Sequence, residues 1–505
     1  MIALATNVSV AVLGSGTMGR GIARVASGAG HKVFLYDIDN EALGSAATDI
    51  KRYLDRDVEK GRLSDGDAQL IYGRIAYTAE LPELATAGLV IEAIVEDLEA
   101  KVALLRQVEA QTEPGTIIAT NTSSLSVTAI AAGLERAERV AGMHFFNPAP
   151  VMPLVEIVAG AQSDHEVLAT LSDTAEAWGK TPVRAASTPG FIVNRVARPF
   201  YGEALRIVEE GLATPREVDE VVAGAGGFRM GPFALMDLVG LDVNLAVSKS
   251  VYEQTFHDPR FAPNQIQQQL VDAGRLGLKT GRGFYNYEAD GHEDAPRSAT
   301  ANHQVAEVIV HGDRAGTNGL VSRLTAAGVK VSRGFGPAPG VAIGSTLLWP
   351  SNGRPVSAVD KLVPDLNIVA VDACLDWPSA EVVAIAGGDQ SAEADAAAVL
   401  GAAGLEARVV GDGPGLVLLR IMCQLASVAA DAVLKGVATV KDVDTAMRLG
   451  TNYPIGPLEW ADQVGAGRVV EVLDNMADYY GEARYRPSSL LRRTADNDVQ
   501  LGEAL

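Results

Sequence analysis

His144 and Glu156 are the first pair in this chain whose types and spacing could do chemistry. His144 lies near the end of an apolar run of strand length, VAGMHFF (140–146), and Glu156 closes the phrase GMHFFNPAPVMPLVE twelve residues later. An imidazole titrates near neutrality, so it can take the proton of an alcohol while a hydride leaves the carbon. A carboxylate beside it fixes the ring tautomer and stabilises the cation. Alone, neither residue is decisive. A histidine near a strand end is more often structural, and a glutamate after an apolar run is usually a solvated or capping residue. What decides is whether the same fold offers a hydride acceptor.

The first forty residues offer a site for one. VSVAVL (8–13) is an apolar run of strand composition. Gly14-Ser15-Gly16-Thr17-Met18-Gly19 follows at once, then Arg20 to Gly28 with Ala, Ile and Val at helical spacing, then KVFLY ending at Asp37. Gly14 permits a tight turn, Gly16 lets backbone approach a pyrophosphate, and Gly19 lets helix pack on strand. The helix start, at Thr17 and Met18, offers free N–H groups to phosphates. Asp37 would accept hydrogen bonds from the adenine ribose, and its charge would repel a 2′-phosphate, so NAD is expected rather than NADP. With 52 glycines in the chain, the glycine pattern by itself is weak. Strand, turn, helix, second strand and acid together supply the context.

Further strands keep the same rhythm: GLVIEAIV (88–95), GTIIAT (115–120) and VAGMHFF. Strands alternating with helices predict a parallel, doubly wound sheet, whose ligands gather beyond the carboxyl ends of its strands. Glu96, Ser123 and His144 all fall at or just after such ends. After Thr188-Pro189-Gly190 the pattern changes to helices joined by Gly-Pro turns, through about residue 290. Asn194 lies at a helix start there, in FIVNRVARPF.

Composition narrows the field. Three or four domains suit 505 residues, and 48% hydrophobic with 21% charged residues describes an ordinary globular chain. A net charge of −21 argues against nucleic acid as the main partner, though not against a small anion met by a local basic patch. Two cysteines, Cys374 and Cys423, allow no disulfide framework and no CxxC metal site. No long uncharged apolar run predicts a membrane helix, and the N-terminus lacks the basic region of a secretory signal. A reducing, cytoplasmic location is expected.

On the phrases VLGSGTMGRGIA, VIEAIVEDLEAK, TNTSSLS, GMHFFNPAPVMPLVEIV, TPGFIVNR and GLKTGRGFY, the first 290 residues resemble the L-3-hydroxyacyl-CoA dehydrogenase family. The resemblance implies NAD-dependent oxidation of the 3-hydroxyl of an (S)-3-hydroxyacyl-CoA. It implies that His144 is the base and Glu156 its partner, and that Ser123 and Asn194 bind the reacting oxygen. It implies that Glu96 and Lys101 hold the nicotinamide-side ribose, with Ser123 and Asn147 also near the nicotinamide. The family has a helical hairpin touching CoA where this chain carries Lys51, Arg52, Arg56, Lys60 and Arg62; Lys60 is the preferred contact, beside the alternative that each is a solvated cation.

The C-terminal part repeats the helical segment. Pro189-Gly190 corresponds to Pro414-Gly415, Gly211 to Gly436, Asp219 to Asp444, Gly231-Pro232 to Gly456-Pro457, Asp237 to Asp462 and Gly240 to Gly465, always 225 positions apart. Asn194 is replaced by Leu419. The stretch before it reads as a worn nucleotide-binding domain, with Gly312, Gly316 and Gly319 at altered spacing, Asp313 where phosphate would approach, and no histidine after His311. The expected architecture is therefore an α/β Rossmann-like domain (1–187) plus an all-helical domain (188–290), followed by a degenerate second copy of both (300–410 and 411–505). In single-copy relatives the helical domain forms the dimer interface. The second copy is expected to fill that place within one chain, and a homo-oligomer stays open.

This long form is similar to the 3-hydroxyadipyl-CoA dehydrogenases of phenylacetate breakdown and to long-form 3-hydroxybutyryl-CoA dehydrogenases. A dicarboxylic substrate would want a cation at the far end of its pocket; Arg195, Arg198, Arg206 and Arg229 are candidates. A dehydrogenase for a free hydroxy acid and a non-catalytic NAD-binding protein are the rival readings.

Overall fold

The computed structural model describes residues 3–288, 296–312 and 315–504, so Asp313 lies outside the described residues. The chain forms two compact units, Met1–Arg195 with Lys435–Thr451, and Val196–Leu434 with Asn452–Leu505.

The first unit is built on β1 (Ser9–Leu13), β2 (Val33–Tyr36), β3 (Ile75–Thr78), β4 (Ala87–Glu92), β5 (Ile117–Thr120), β6 (Val140–Phe145), β7 (Leu154–Ala159) and β8 (Thr181–Ala186). They form one sheet in the order β3-β2-β1-β4-β5-β6-β7-β8. Alternate residues serve two cores. Val10 and Val12 pack with Ile22 and Ala26 on one face, while Ala11 and Leu13 pack with Leu105 and Val108 on the other. The first six strands are parallel, as the α/β rhythm predicts. The sheet then departs from the sequence expectation: β7 runs antiparallel to β6, and β8 runs parallel to β7. The reason is the short proline-rich connection between β6 and β7. It is long enough to reverse the chain but too short for the crossover a parallel partner needs. β8 carries Pro182 on the sheet edge, where a missing N–H costs little.

The second unit holds another sheet, built on β9 (Glu307–His311), β10 (Lys330–Gly334), β11 (Gly340–Ile343), β12 (Thr346–Pro350), β13 (Asn367–Val371), β14 (Val382–Ala386) and β15 (Glu406–Val409). The order is β10-β9-β11-β12-β13-β14-β15. From its far edge this sheet follows the first strand for strand: β14 and β15 are parallel, β13 and β14 antiparallel, β12 and β13 parallel. It departs at β11, which runs antiparallel to both its neighbours, and among the described residues it has no strand matching β3. Its core is rich in alanine and valine, with Ala392, Ala396 and Val399 of one helix buried against it.

Helices complete the second unit. Arg198–Glu209 packs along Leu418–Leu434. Between them the fully buried Arg420 meets Glu203 at 2.8 Å and Glu210 at 2.9 Å, with the Tyr485 hydroxyl also at 2.9 Å. A buried guanidinium is tolerable only when its donors are matched in this way. The phrase GLKTGRGFY has a structural task here. Asp237 accepts from the N–H groups of Phe284 and Tyr285, and Asp219 from the Tyr285 hydroxyl. Burial pushes the Asp219 carboxyl up to about 6 against the N–H groups of Phe233 and Ala234 and the Tyr285 hydroxyl.

Candidate active site

His144 on β6 and Glu156 on β7 are direct cross-strand partners. The reversal of β7 therefore turns a separation of twelve residues into a contact. His144 Nδ1 lies 2.7 Å from Glu156 Oε2, and both side chains are buried. The other glutamate oxygen, Oε1, accepts the backbone N–H groups of Ile192 and Val193, each at 3.0 Å. One carboxylate thus orients the imidazole and anchors the turn leading to Asn194. With Nδ1 on the carboxylate, Nε2 is the ring nitrogen placed to exchange a proton. His31 shows the contrasting case: buried, with Nδ1 on the Val8 carbonyl and an edge contact to Trp178.

The glycine turn has the geometry its sequence demands. Gly14 has φ +97°, and a Cβ there would lie 2.6 Å from the Ala93 carbonyl oxygen. A Cβ on Gly19 would run into the Gly14 carbonyl. At Gly16, by contrast, a Cβ would meet nothing within 4 Å. The helix Thr17–Gly28 begins at this open point with no side-chain cap. The Met18 side chain packs on the core. Uncapped N–H groups at an open helix start fit a pyrophosphate. Asp37 accepts both the N–H and the hydroxyl of Ser15, at 2.8 and 2.7 Å. Burial pushes its carboxyl up, but the Ser15 donors together with the N–H groups of Asp39 and Ile38 outweigh this and hold it below the ordinary value. The charge is thus kept beside the glycine turn.

A second carboxylate network lies at the ends of β4 and β5. Glu96 Oε1 accepts from the Thr122 hydroxyl at 2.6 Å, the Ser123 N–H at 2.9 Å and the Ser124 N–H at 3.1 Å. Burial raises its carboxyl, while these donors and Lys101 bring it below the ordinary value. The Lys101 ammonium is buried, 2.6 Å from Glu92 and 3.2 Å from Glu96. Ser123 and Asn194 are half-buried and Asn147 is exposed.

Several positioning groups give little sequence signal. Glu92, at the end of β4, is fully buried and also takes the Thr120 hydroxyl. Asn121 Oδ1 accepts the Phe145 N–H, next to His144. Lys180 donates to the carbonyls of Ala149 and Met152 and so holds the loop after His144. Each sits beside a recognisable phrase without belonging to a spacing rule.

A cavity of about 790 Å³ runs from Thr17 and Asn147 to the helix Asn40–Glu59 and the turn after it. Lys60, Arg56 and Arg62 line it, as do Arg20 and Arg24, which belong to no expected contact of the basic hairpin. Their signal was the four-residue spacing on the helix after the glycine turn. Asp57 is the acid among them, paired with Arg24 at 2.7 Å and Arg62 at 3.4 Å. A net-positive cavity suits a polyphosphate. Lys51 and Arg52 instead pair with Asp55 and Asp49 on their own helix. Of the distal arginine candidates, Arg206 is bound to Glu482 at 3.0 Å, and Arg198 is buried against Ser248 Oγ at 3.1 Å.

In the second unit the matching positions carry other residues. Continuing the β13–β14 register from Ala370–Ala386 and Val371–Ile385 pairs Asp372 with Ala384, and the Asp372 N–H donates to the Ala384 carbonyl. Asp372 stands where β6 has His144, and Ala384 where β7 has Glu156. Asp372 accepts the N–H groups of Val417, Leu418 and Leu419, at 3.0, 2.7 and 3.0 Å. The helix behind β9 is also filled over: a Cβ on Gly319 would run into Trp377, and one on Gly316 would lie 3.0 Å from the Arg468 guanidinium.

Residues 9–188 match the model of the 3-hydroxyacyl-CoA dehydrogenase NAD binding domain. Residues 190–287 and again 415–503 match that of the 3-hydroxyacyl-CoA dehydrogenase C-terminal domain. Over 497 residues the chain is 42% identical to 3-hydroxyadipyl-CoA dehydrogenase of Escherichia coli K12, covering 96% of this chain and 97% of the relative. A probable 3-hydroxybutyryl-CoA dehydrogenase of Bacillus subtilis is 41% identical over 279 residues, 55% of this chain and 97% of its own. Among solved structures, 3-hydroxybutyryl-CoA dehydrogenase from Escherichia coli K12 superposes with a TM-score of 0.89 at 41% identity. It covers 98% of this chain and 99% of the other.

Proposed function

The chain belongs to the 3-hydroxyacyl-CoA dehydrogenase family and is an NAD-dependent oxidoreductase, and we propose that it oxidises (S)-3-hydroxyadipyl-CoA to 3-oxoadipyl-CoA. The observation that carries the reaction is the buried His144–Glu156 pair. The observation that favours the dicarboxylic substrate is the full-length match to a 3-hydroxyadipyl-CoA dehydrogenase. The superposed structure bearing the 3-hydroxybutyryl name supports the short-chain alternative.

Bound NAD would supply the hydride acceptor for C3. Gly14, Gly16, Gly19 and the N–H groups of Thr17 and Met18 would hold its pyrophosphate, and Asp37 its adenine ribose. Glu96 orders Ser123 and, with Lys101 and Asn147, the nicotinamide side. His144 Nε2 takes the hydroxyl proton while Glu156 stabilises the imidazolium. Ser123 and Asn194 hold the oxygen as it becomes a carbonyl. The cavity with Arg20, Arg24 and Lys60 receives the CoA phosphates.

The four-part division read from the sequence belongs to the same proposal. The second sheet and second helical match descend from a duplication, and Asp372 with Ala384 in place of His144 and Glu156 leaves that half without a base.

The test is the reverse reaction, following NADH oxidation with 3-oxoadipyl-CoA, acetoacetyl-CoA and free acetoacetate. A kcat/KM for 3-oxoadipyl-CoA at least about tenfold above acetoacetyl-CoA is expected, a difference of about 1.4 kcal/mol. Preference for acetoacetyl-CoA would move the substrate to short acyl chains. Activity on free acetoacetate alone would remove the CoA thioester from the reading.

A further inference from the structure

The segment Lys435–Thr451 lies in the C-terminal helical repeat by sequence, yet it packs within the first unit. Its helix, Val440–Thr451, lies against β7 and β8. The Ala186 N–H, at the end of β8, donates to the Val437 carbonyl at 2.8 Å. At the other end of the helix Gly450 touches the active-site scaffold directly. A Cβ there would lie 2.7 Å from Leu154 Cδ2 and 3.0 Å from Val193 Cγ2. Val193 supplies one of the two N–H groups that hold Glu156, and Leu154 lies two residues before Glu156 on the same face of β7.

The second unit contains the same contact with the two repeats exchanged. Gly411 N–H donates to the Leu212 carbonyl at 2.6 Å. Gly411 is 225 positions after Ala186, and Leu212 is 225 positions before Val437. Gly224, ending the helix Pro215–Gly224, lies over Val382, the first residue of β14, as Gly450 lies over Leu154, the first residue of β7. Each helical repeat thus covers the sheet of the other half, the reciprocity of an isologous interface. Only the first of the two covered sheets has a histidine facing a glutamate at this register.

We infer that Gly450 is a positioning residue of the active site, setting through Val193 the backbone that holds Glu156 against His144. It acts without touching substrate or cofactor. Val193 is β-branched and stiff, so it cannot turn away from an added side chain. A larger residue at 450 therefore displaces the 192–193 backbone, loosens the Glu156 carboxylate and lets the imidazole leave its productive orientation. The C-terminal repeat would thus serve turnover as well as stability. The inference rests on the assignment of His144 and Glu156 made above.

The experiment compares full-length Gly450→Leu with Gly224→Leu, the glycine that meets β14 over the sheet without chemistry, one position before Ala225, the register counterpart of Gly450. Gly450→Leu is expected to lower kcat roughly tenfold or more, since small misplacements of catalytic groups carry such factors. Its NADH Kd and acyl-CoA KM should stay within about twofold of wild type. Gly224→Leu should lower the Tm comparably and keep kcat within about twofold, an effect on stability alone. Adding Val193→Ala to Gly450→Leu should restore much of the lost kcat by making room. If the leucine variants do not fold, Gly450→Ala against Gly224→Ala carries the same comparison. Equal kcat losses at both positions, a folded Gly450→Leu with wild-type kcat, or no recovery with Val193→Ala would overturn the inference. An active Gly450→Leu beside an inactive His144→Ala would sink the inference and leave the assigned base intact. A wild-type chain that reduced no 3-oxoacyl-CoA would overturn both.

Discussion

Both halves of this chain hold the start of a helix with a buried carboxylate, but from different strands. In the first, Glu156 on β7 takes the N–H groups of Ile192 and Val193 with one oxygen and the imidazole of His144 with the other. In the second, Asp372 just beyond β13 takes three N–H groups at the equivalent turn, and Ala384 faces it on β14. The difference separates two tasks that Glu156 combines. Anchoring the turn needs only an acceptor within reach, and a shorter acid on the neighbouring strand supplies it. Orienting a base needs the acceptor on the opposite strand, so that the partner position is free for the histidine. With Asp372 at that position the turn is kept, and no imidazole stands opposite Ala384.

Four outcomes would sharpen or break this comparison. The largest effect is expected at His144. His144→Ala should lower kcat by at least about a hundredfold, the usual worth of a positioned base, with NADH Kd unchanged in a fluorescence titration. Wild-type turnover in that variant would erase the distinction between the halves. Glu156→Gln keeps an oxygen for the Ile192 and Val193 N–H groups but removes the charge that favours imidazolium. A kcat loss of roughly ten- to a hundredfold with little change in Tm is the expectation, and an effect confined to NADH affinity would contradict it.

Asp372→Ala tests the anchoring task alone. It leaves three N–H groups at a buried helix start without their acceptor, a cost on the order of 1–3 kcal/mol, while kcat should stay within about twofold. The pH dependence has a definite sign. Burial pushes the Asp372 carboxyl up to about 6 from an ordinary 3.8, so the folded state keeps this proton more tightly than the unfolded. Its contribution to stability is full below about pH 4 and is lost as the pH rises through about 6. The stability advantage of wild type over Asp372→Ala should therefore shrink across that window in denaturant titrations. An advantage that grew with pH would refute the assignment. The smallest effect is expected at the rim of the basic cavity. Lys60→Glu should raise the acyl-CoA KM a few-fold, less so at high salt, and leave kcat alone. A fall in kcat would place Lys60 nearer the chemistry than a phosphate contact.

Much of this was legible in the residues. The glycine turn, its strand and helix, and Asp37 follow local rules of backbone room and helix polarity, and they stand where those rules put them. The apolar runs of β1, β2, β4, β5 and β6 were readable for the same reason, whereas β3, only four residues long and half exposed, was not. The antiparallel turn of β7 was not, because an apolar run looks the same in either direction; only the short connection decides. Glu92, Asn121 and Lys180 were invisible because an isolated polar residue beside a strand carries no period. Their partners come from elements that meet only in the folded sheet.

The sequence by itself determined which side chains could bind a dinucleotide and which histidine could be a base, since turn, helix start and residue chemistry are local properties. The tertiary structure decided what those residues do to one another. It paired His144 with Glu156 through strand reversal and buried Lys101 between two carboxylates. It also laid a helix from the C-terminal repeat against Val193, because an uncovered sheet edge is buried by whatever apolar helix the chain can bring to it.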